Sequence, residues 1–213
     1  MSDKRHRRRM KQQRRHESFV CRFIDGEPGA LYDIGVGPKT EWKTLSEKYP
    51  GMKVFGCEPL PHRYEKLAAN GFPGPLENVA IGEGEGVMPI YFHTQRRQIA
   101  SMFAVRAANA THNVEVWTLD RFDEHMGKPD RILLWMDIEG SELTALRSGK
   151  ELLASGRVHW INVEERLSGE MPAPGWCKPE DLHDYLTQSG FERAAEYNNH
   201  RTHQDAVYVK KQA

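Results

Sequence analysis

The stretch that most constrains the fold is Ala30-Leu-Tyr-Asp-Ile-Gly-Val-Gly-Pro-Lys-Thr-Glu-Trp42, followed by Lys53-Val-Phe-Gly-Cys-Glu-Pro59. An apolar run ends in Asp33, breaks at Gly35 and Gly37, and passes into helical spacing at Trp42 and Leu45, which reads as strand, tight turn, helix. The second apolar run ends in Glu58, about twenty residues beyond the glycines, where such folds set a carboxylate against ribose hydroxyls. The two features together predict a nucleotide-like ligand on the turn.

The same alternation continues down the chain. A helix is expected over about Lys39 to Lys48, a strand over Lys53 to Cys57, and a helix over Leu60 to Asn70 closed by Asn70-Gly71. Asn78 to Gly82 reads as a short third strand, and Val87 to Thr94 as a half-exposed strand in a β excursion. Gln95 to Asn113 reads as a polar loop that contains Ser101, a hydroxyl expected to face the ligand. Val114 to Thr118 is a strand. Arg131 to Ile138 is the most apolar run, as in a central strand covered on both faces. Trp160 to Glu165 is a strand, Pro179 to Ser189 a helix, and Phe191 to Tyr197 with Ala206 to Lys210 a terminal hairpin. Strand–helix alternation predicts an α/β fold with a mostly parallel, Rossmann-like sheet and helices on both faces.

Size and charge limit what surrounds this sheet. A chain of 213 residues that is 38% hydrophobic buries one sizeable core, so one domain over residues 17–213 is expected behind a tail. No apolar run reaches the roughly 18 residues of a membrane span, and the basic start has no apolar segment after it. A cytoplasmic location without a membrane partner is the expectation. Cys21, Cys57 and Cys177 are in neither a disulfide nor a metal spacing, so no metal is expected. The formal net charge of zero hides an asymmetry. Residues 1–16 hold Lys4, Arg5, Arg7, Arg8, Arg9, Lys11, Arg14 and Arg15 against Asp3 alone, leaving the body with a matching acidic excess. Residues 1–16 read as a disordered basic tail, whose residues 4–15 could contact nucleic acid phosphate. Oligomeric state is not encoded in any feature of the sequence.

Ligands of open α/β sheets lie beyond the carboxyl ends of the strands. The polar residues at those ends are Asp33, Glu58, Asn78, Asp137 with Glu139, and Glu164 with Glu165. A nicotinamide site would want a third glycine where Thr40 stands, and no P-loop lysine is present for a triphosphate. A cationic ligand matches an acidic rim better. The sulfonium and ammonium of S-adenosylmethionine suit these carboxylates, its ribose suits Glu58, and Gly35 and Gly37 allow close backbone approach. His200, His203 and Asp205 read as a solvated hairpin loop. His159 reads as a core histidine. His93, Arg96, Arg97 and Arg106 read as surface groups or the wall of an acceptor pocket.

Asp33-Ile-Gly-Val-Gly, Glu58-Pro59, Asn78-Val-Ala-Ile-Gly82, Thr118-Leu-Asp120 and, most specifically, Trp135-Met-Asp-Ile-Glu-Gly-Ser-Glu142 with Asn162-Val-Glu164 resemble the FkbM-type S-adenosylmethionine-dependent methyltransferases. The resemblance covers roughly residues 30 to 165. It implies a seven-stranded class I methyltransferase sheet whose last strand is antiparallel. It also implies that Asp33, Gly35 and Gly37 hold the methionine portion and Glu58, beside Pro59, the ribose. Asn78 and Val79 would border the adenine, and Asp137 would sit near the transferring methyl. Val36-Gly-Pro-Lys39 departs from the family's usual Ala-Asn-x-Gly.

Methyl transfer needs chiefly alignment, because the sulfonium is already activated. A hydroxyl acceptor also needs a base, for which Asp137, Glu139 and Glu164 are the candidates, while Glu142 could equally serve its own helix dipole. The leading expectation is O-methylation of a small molecule or glycan, the hydroxyl specificity resting on the resemblance alone. The rivals are a nucleic-acid methyltransferase recruited by the tail, and a binding protein that keeps the fold without catalysis.

Overall fold

In the computed structural model, residues 16–37, 41–95, 100–167, 173–197 and 202–211 are described. The basic residues 4–15, Pro38 to Thr40, Arg96, Arg97 and His200 lie outside them. The chain opens with a helical turn, α1 (16–20), and then places short apolar runs in a sheet. The first strands are β1 (Ala30–Ile34), β2 (Lys53–Cys57) and β3 (Leu76–Glu77), connected by α2 (Glu41–Lys48) and α3 (Pro61–Ala69). A second set, β4 (Val79–Ile81), β5 (Gly86–Phe92), β6 (Ala100–Ser101) and β7 (Ala110–Trp117), leads into α4 (Leu119–His125). Then come β8 (Ile132–Met136), α5 (Glu142–Arg147), α6 (Lys150–Ala154), β9 (Val158–Arg166), α7 (Pro179–Gln188), β10 (Phe191–Tyr197) and β11 (His203–Lys210).

The main sheet has the order β10-β11-β9-β8-β1-β2-β3. Strand β11 runs antiparallel to both of its neighbours, while β9, β8, β1, β2 and β3 pair in parallel. Every residue of β1 and β8 is buried, because helices cover both faces. On one face, Val20 of α1, Leu45 of α2 and Leu67 of α3 pack with Leu31, Leu133, Trp135 and Trp160. On the other, Phe122, Leu146, Leu152 and Leu186 from α4 to α7 pack with Tyr32, Ile34, Leu134 and Ile161. Strand order reverses between β1 and β8, which places the ligand crevice at the carboxyl ends of these two strands.

Two expectations about the middle of the chain are corrected. The third strand of the main sheet is Leu76–Glu77, and Val79–Ile81 departs to pair with β7 in a separate sheet of order β4-β7-β5-β6. The switch occurs at Asn78, whose side-chain amide donates to the carbonyls of Glu58 at 2.8 Å and Pro59 at 3.0 Å and so ties the chain to the end of β2. Part of the polar stretch before Val114 is also strand, since Ala110 to Asn113 pair with Phe92 to Pro89. Thr111, His112 and Asn113 are polar because they are exposed on that sheet, and their polarity reads as loop when no partner strand is in view.

Candidate functional site

The turn after β1 is built by its glycines. Gly35 has φ +81°, and a Cβ there would meet the Asp137 carbonyl oxygen at 2.6 Å. The turn is therefore pressed against the exit of β8, and only glycine fits. Gly35 and Val36 both donate their N–H groups to the Cys57 carbonyl at 3.1 Å. Gly37, with φ +57°, donates to Glu58 Oε2 at 2.8 Å, and Leu60 donates to Glu58 Oε1 at 2.9 Å. Glu58 is 2% exposed. Burial pushes its carboxyl above the usual range, and Arg63 and the two amides oppose that shift. The glycine turn and the acid after β2, separate in sequence, are thus one hydrogen-bonded unit. Asp33 is buried at the end of β1, Pro59 and Asn78 are half-buried, and Val79 packs its side chain into the core cluster with Cys57 and Ile81.

The three carboxylates considered as bases converge. Asp137, Glu139 and Glu164 each offer an oxygen within 4.8 Å of those of the other two, and all three are half-buried. At that separation, like charges repel by roughly 3 kcal/mol per pair at an effective dielectric of about 20. A cationic ligand, whether a sulfonium, an amine or a metal ion, would relieve that repulsion.

Glu165, next along β9, points the other way, as strand alternation requires. Its carboxylate accepts from Arg193 at 2.7 Å, the Tyr208 hydroxyl at 3.1 Å and Gln204 at 3.2 Å. Glu164 stays at the rim with His203 Nε2 3.7 Å away.

The loop that carries Asp137 and Glu139 is held from several sides. Asp137 donates its N–H to the Ile34 carbonyl at 3.2 Å, and Cys177 donates to the Gly140 carbonyl at 3.0 Å. Ser101, expected from the sequence to face the ligand, is buried and donates to the Glu139 carbonyl at 2.8 Å. Trp176 packs so closely on Gly140 that a Cβ there would lie 2.2 Å from its ring. Glu142 is 2% exposed, and its Oε1 accepts from the N–H groups of Ile138 at 3.1 Å and Gly140 at 3.2 Å. Burial, with the nearby Glu164 charge, pushes the Glu142 carboxyl up to about 7.

Other expected positions resolve plainly. His203 and Asp205 lie in β11 rather than in a solvated loop, and Asp205 is 9% exposed. His16, assigned to the tail, is buried. Its Nε2 lies 3.2 Å from Asn162 Oδ1 and 3.5 Å from Asp205, and its ring stacks on Tyr197 at 4.9 Å. His159 is half-buried beside Trp160, with its pKa lowered by burial and then by Arg131. Arg106 is exposed.

Six parallel strands with an antiparallel one next to the edge, a glycine turn after the first strand, an acid after the second and acids after the fourth define the class I S-adenosylmethionine-dependent methyltransferases. Within that class, residues 33–193 match the methyltransferase FkbM domain, and the chain belongs to that family.

A solved FkbM methyltransferase from Methylobacillus flagellatus KT superposes with a TM-score of 0.57 at 13% identity over 87% of this chain. The match spans 44% of that protein, so this chain is about half its length. Magnesium protoporphyrin IX methyltransferase from Synechocystis PCC 6803 with bound SAM superposes at 0.55 with 12% identity, over 94% of this chain and 79% of that one. The same enzyme with bound SAH gives 0.52 at 12% identity, over 95% and 85%. Curated proteins give no sequence match. Among the described residues, no helix is long and apolar enough to cross a membrane.

Proposed function

We propose that this protein transfers the methyl group of S-adenosylmethionine to a hydroxyl of a small molecule or glycan. The observation that carries the reading is the convergence of Asp137, Glu139 and Glu164 within 4.8 Å beside the Gly35 turn. That donor set fits the cofactor's positive end, and the Gly37–Glu58 unit fits its ribose. Bound S-adenosylmethionine supplies an activated methyl electrophile.

The protein's own work is then positional. Gly35 and Gly37 clear space for the methionine portion, and Glu58 receives the ribose hydroxyls on lone pairs left over from its two amide bonds. Asn78 holds the Glu58–Pro59 turn at the adenine side, with Val79 behind it. Asp137 takes the acceptor's proton as the oxygen attacks, and the neighbouring negative charges of Glu139 and Glu164 favour a proton arriving there. Hydroxyl acceptors are favoured over anionic ones because the rim is already negative.

Asp137→Asn tests the assignment. Calorimetric titration with S-adenosylhomocysteine is expected to show binding retained and weakened by about tenfold at most, as one of three acids facing its ammonium is lost, while methyl transfer to hydroxyl acceptors falls by about a hundredfold or more, the usual worth of a general base. Wild-type turnover by this variant would overturn the role, and no cofactor binding by the wild-type protein would overturn the activity.

A further inference from the structure

The Asp-Ile-Glu-Gly-Ser-Glu block contains three acids, and the structure separates their tasks. Asp137 and Glu139 reach the cluster with Glu164. Glu142 turns back from the first turn of α5 and binds the backbone of the loop that precedes it.

That loop is not a conformation the chain adopts freely. Glu139 has φ +53° and Gly140 φ +96°, and a left-handed glutamate persists only where surrounding contacts over-determine it. Such contacts are present on each side. Glu142 ties the N–H groups of residues 138 and 140, flanking Glu139, to one oxygen, and Ser101 ties the Glu139 carbonyl from the second sheet. N–H groups two residues apart can share one acceptor only where the backbone between them is folded out of the extended form, so the bond pattern fits the left-handed φ of the residue they flank. Their joint effect is to send the Glu139 side chain toward Asp137 and Glu164.

We propose that Glu142 is a positioning residue: its carboxylate holds the 137–140 turn in the left-handed form that presents Asp137 and Glu139 to the reaction site. The proposal rests on the methyltransferase reading for what the site does, and on geometry alone for how the turn is held. Burying a carboxylate at the start of α5 is unfavourable by itself. Ser141, at the N-cap position, makes no side-chain cap bond, so the polar side chain at this helix start is spent on the loop.

The test uses the full-length protein with Glu142→Leu, which removes the acceptor oxygen, and Glu142→Gln, which keeps one. Amide hydrogen exchange at Ile138 and Gly140 is expected to accelerate about tenfold or more in the leucine variant and to stay within about threefold of wild type in the glutamine variant. S-adenosylhomocysteine affinity should follow the same order, with about a tenfold loss and rescue by glutamine. Should Glu142→Leu fail to fold, Ser101→Ala loosens the same turn from its other side and is expected to accelerate exchange at Gly140. Unchanged exchange in the folded variants overturns the proposal, as does glutamine failing to rescue. If wild-type protein binds no S-adenosylhomocysteine, the methyltransferase reading fails, while the leucine–glutamine exchange contrast still decides whether Glu142 holds the turn.

Discussion

Glu142→Gln should remove one defined component of the protein's pH-dependent stability. The side chain is 2% exposed, and burial, reinforced by Glu164, carries its carboxyl from the ordinary 4.5 to about 7. Between these values the folded chain keeps a proton that the unfolded chain has released. Stability therefore falls as pH rises from about 4.5 to about 7 and is level on either side. The displacement corresponds to about 3 kcal/mol, a large fraction of a domain's total of roughly 5–15 kcal/mol. Glutamine keeps an acceptor for Ile138 and Gly140 but cannot ionise. Glu58 and Glu165 are also held above their ordinary range, but they titrate in both proteins and cancel in the difference. Urea unfolding of both proteins at several pH values from 5 to 8 gives that difference directly. Glu142→Gln should gain on wild type by about 3 kcal/mol across the interval. Two curves that stay parallel across it would refute the reasoning, because Glu142 would then ionise in the fold as freely as in the unfolded chain.

Asp123→Ala should destabilise the protein by about 3–5 kcal/mol, read as a fall in thermal midpoint. It leaves the Arg157 guanidinium and the Tyr32 hydroxyl, which now bond Asp123 Oδ1 at 2.9 Å and 2.8 Å, without their acceptor in the core. S-adenosylhomocysteine binding below the transition should be unchanged, since this network joins α4 to the middle of β1 and the start of β9 rather than to the carboxyl-end rim; a fall under about 1 kcal/mol would show that the pair is solvent-screened. Glu58→Gln should lower S-adenosylhomocysteine affinity about tenfold by calorimetry. The substituted amide can accept from Gly37 or from Leu60 but not from both, and an unchanged affinity would separate Glu58 from the cofactor.

Much of the candidate site's placement was legible in the sequence because its parts are local. Asp33, Glu58 and Asp137 each follow an apolar run, and a parallel sheet brings all such carboxyl ends to one rim. The antiparallel β11 could be anticipated from its hairpin with β10. What stayed hidden depended on partners distant in the chain. Ser101 bonds Glu139 across 38 residues, and His16 bonds Asn162 across 146. No local pattern marks either contact. Glu142 was visible as an acid at a helix start, but its direction was not, because the left-handed turn that draws it backward is stabilised by Trp176 and Ser101 as well as by its own oxygen.

Strand parity decides which acids reach the candidate site. Glu164 and Glu165 are neighbours of identical type, yet alternation sends the first to the rim and the second into the interior. The interior one is matched by the Arg193 guanidinium, much as buried Asp123 is matched by Arg157, so each buried charge is neutralised where water cannot reach. The rim acids are arranged differently: three of them are half-buried and share one small volume. Paired interior acids hold the sheet, and the clustered rim acids concentrate negative charge at the carboxyl ends of the strands. A one-residue slip of β9 would exchange these roles, placing Glu165 at the rim and burying Glu164 against Arg193. The residue most sensitive to that register is Asn162. It lies beside Trp135 in one pairing and Val207 in the other, and it carries the bond to His16. The anchor of the amino-terminal segment and the placement of the rim carboxylate are therefore set by the same pairing.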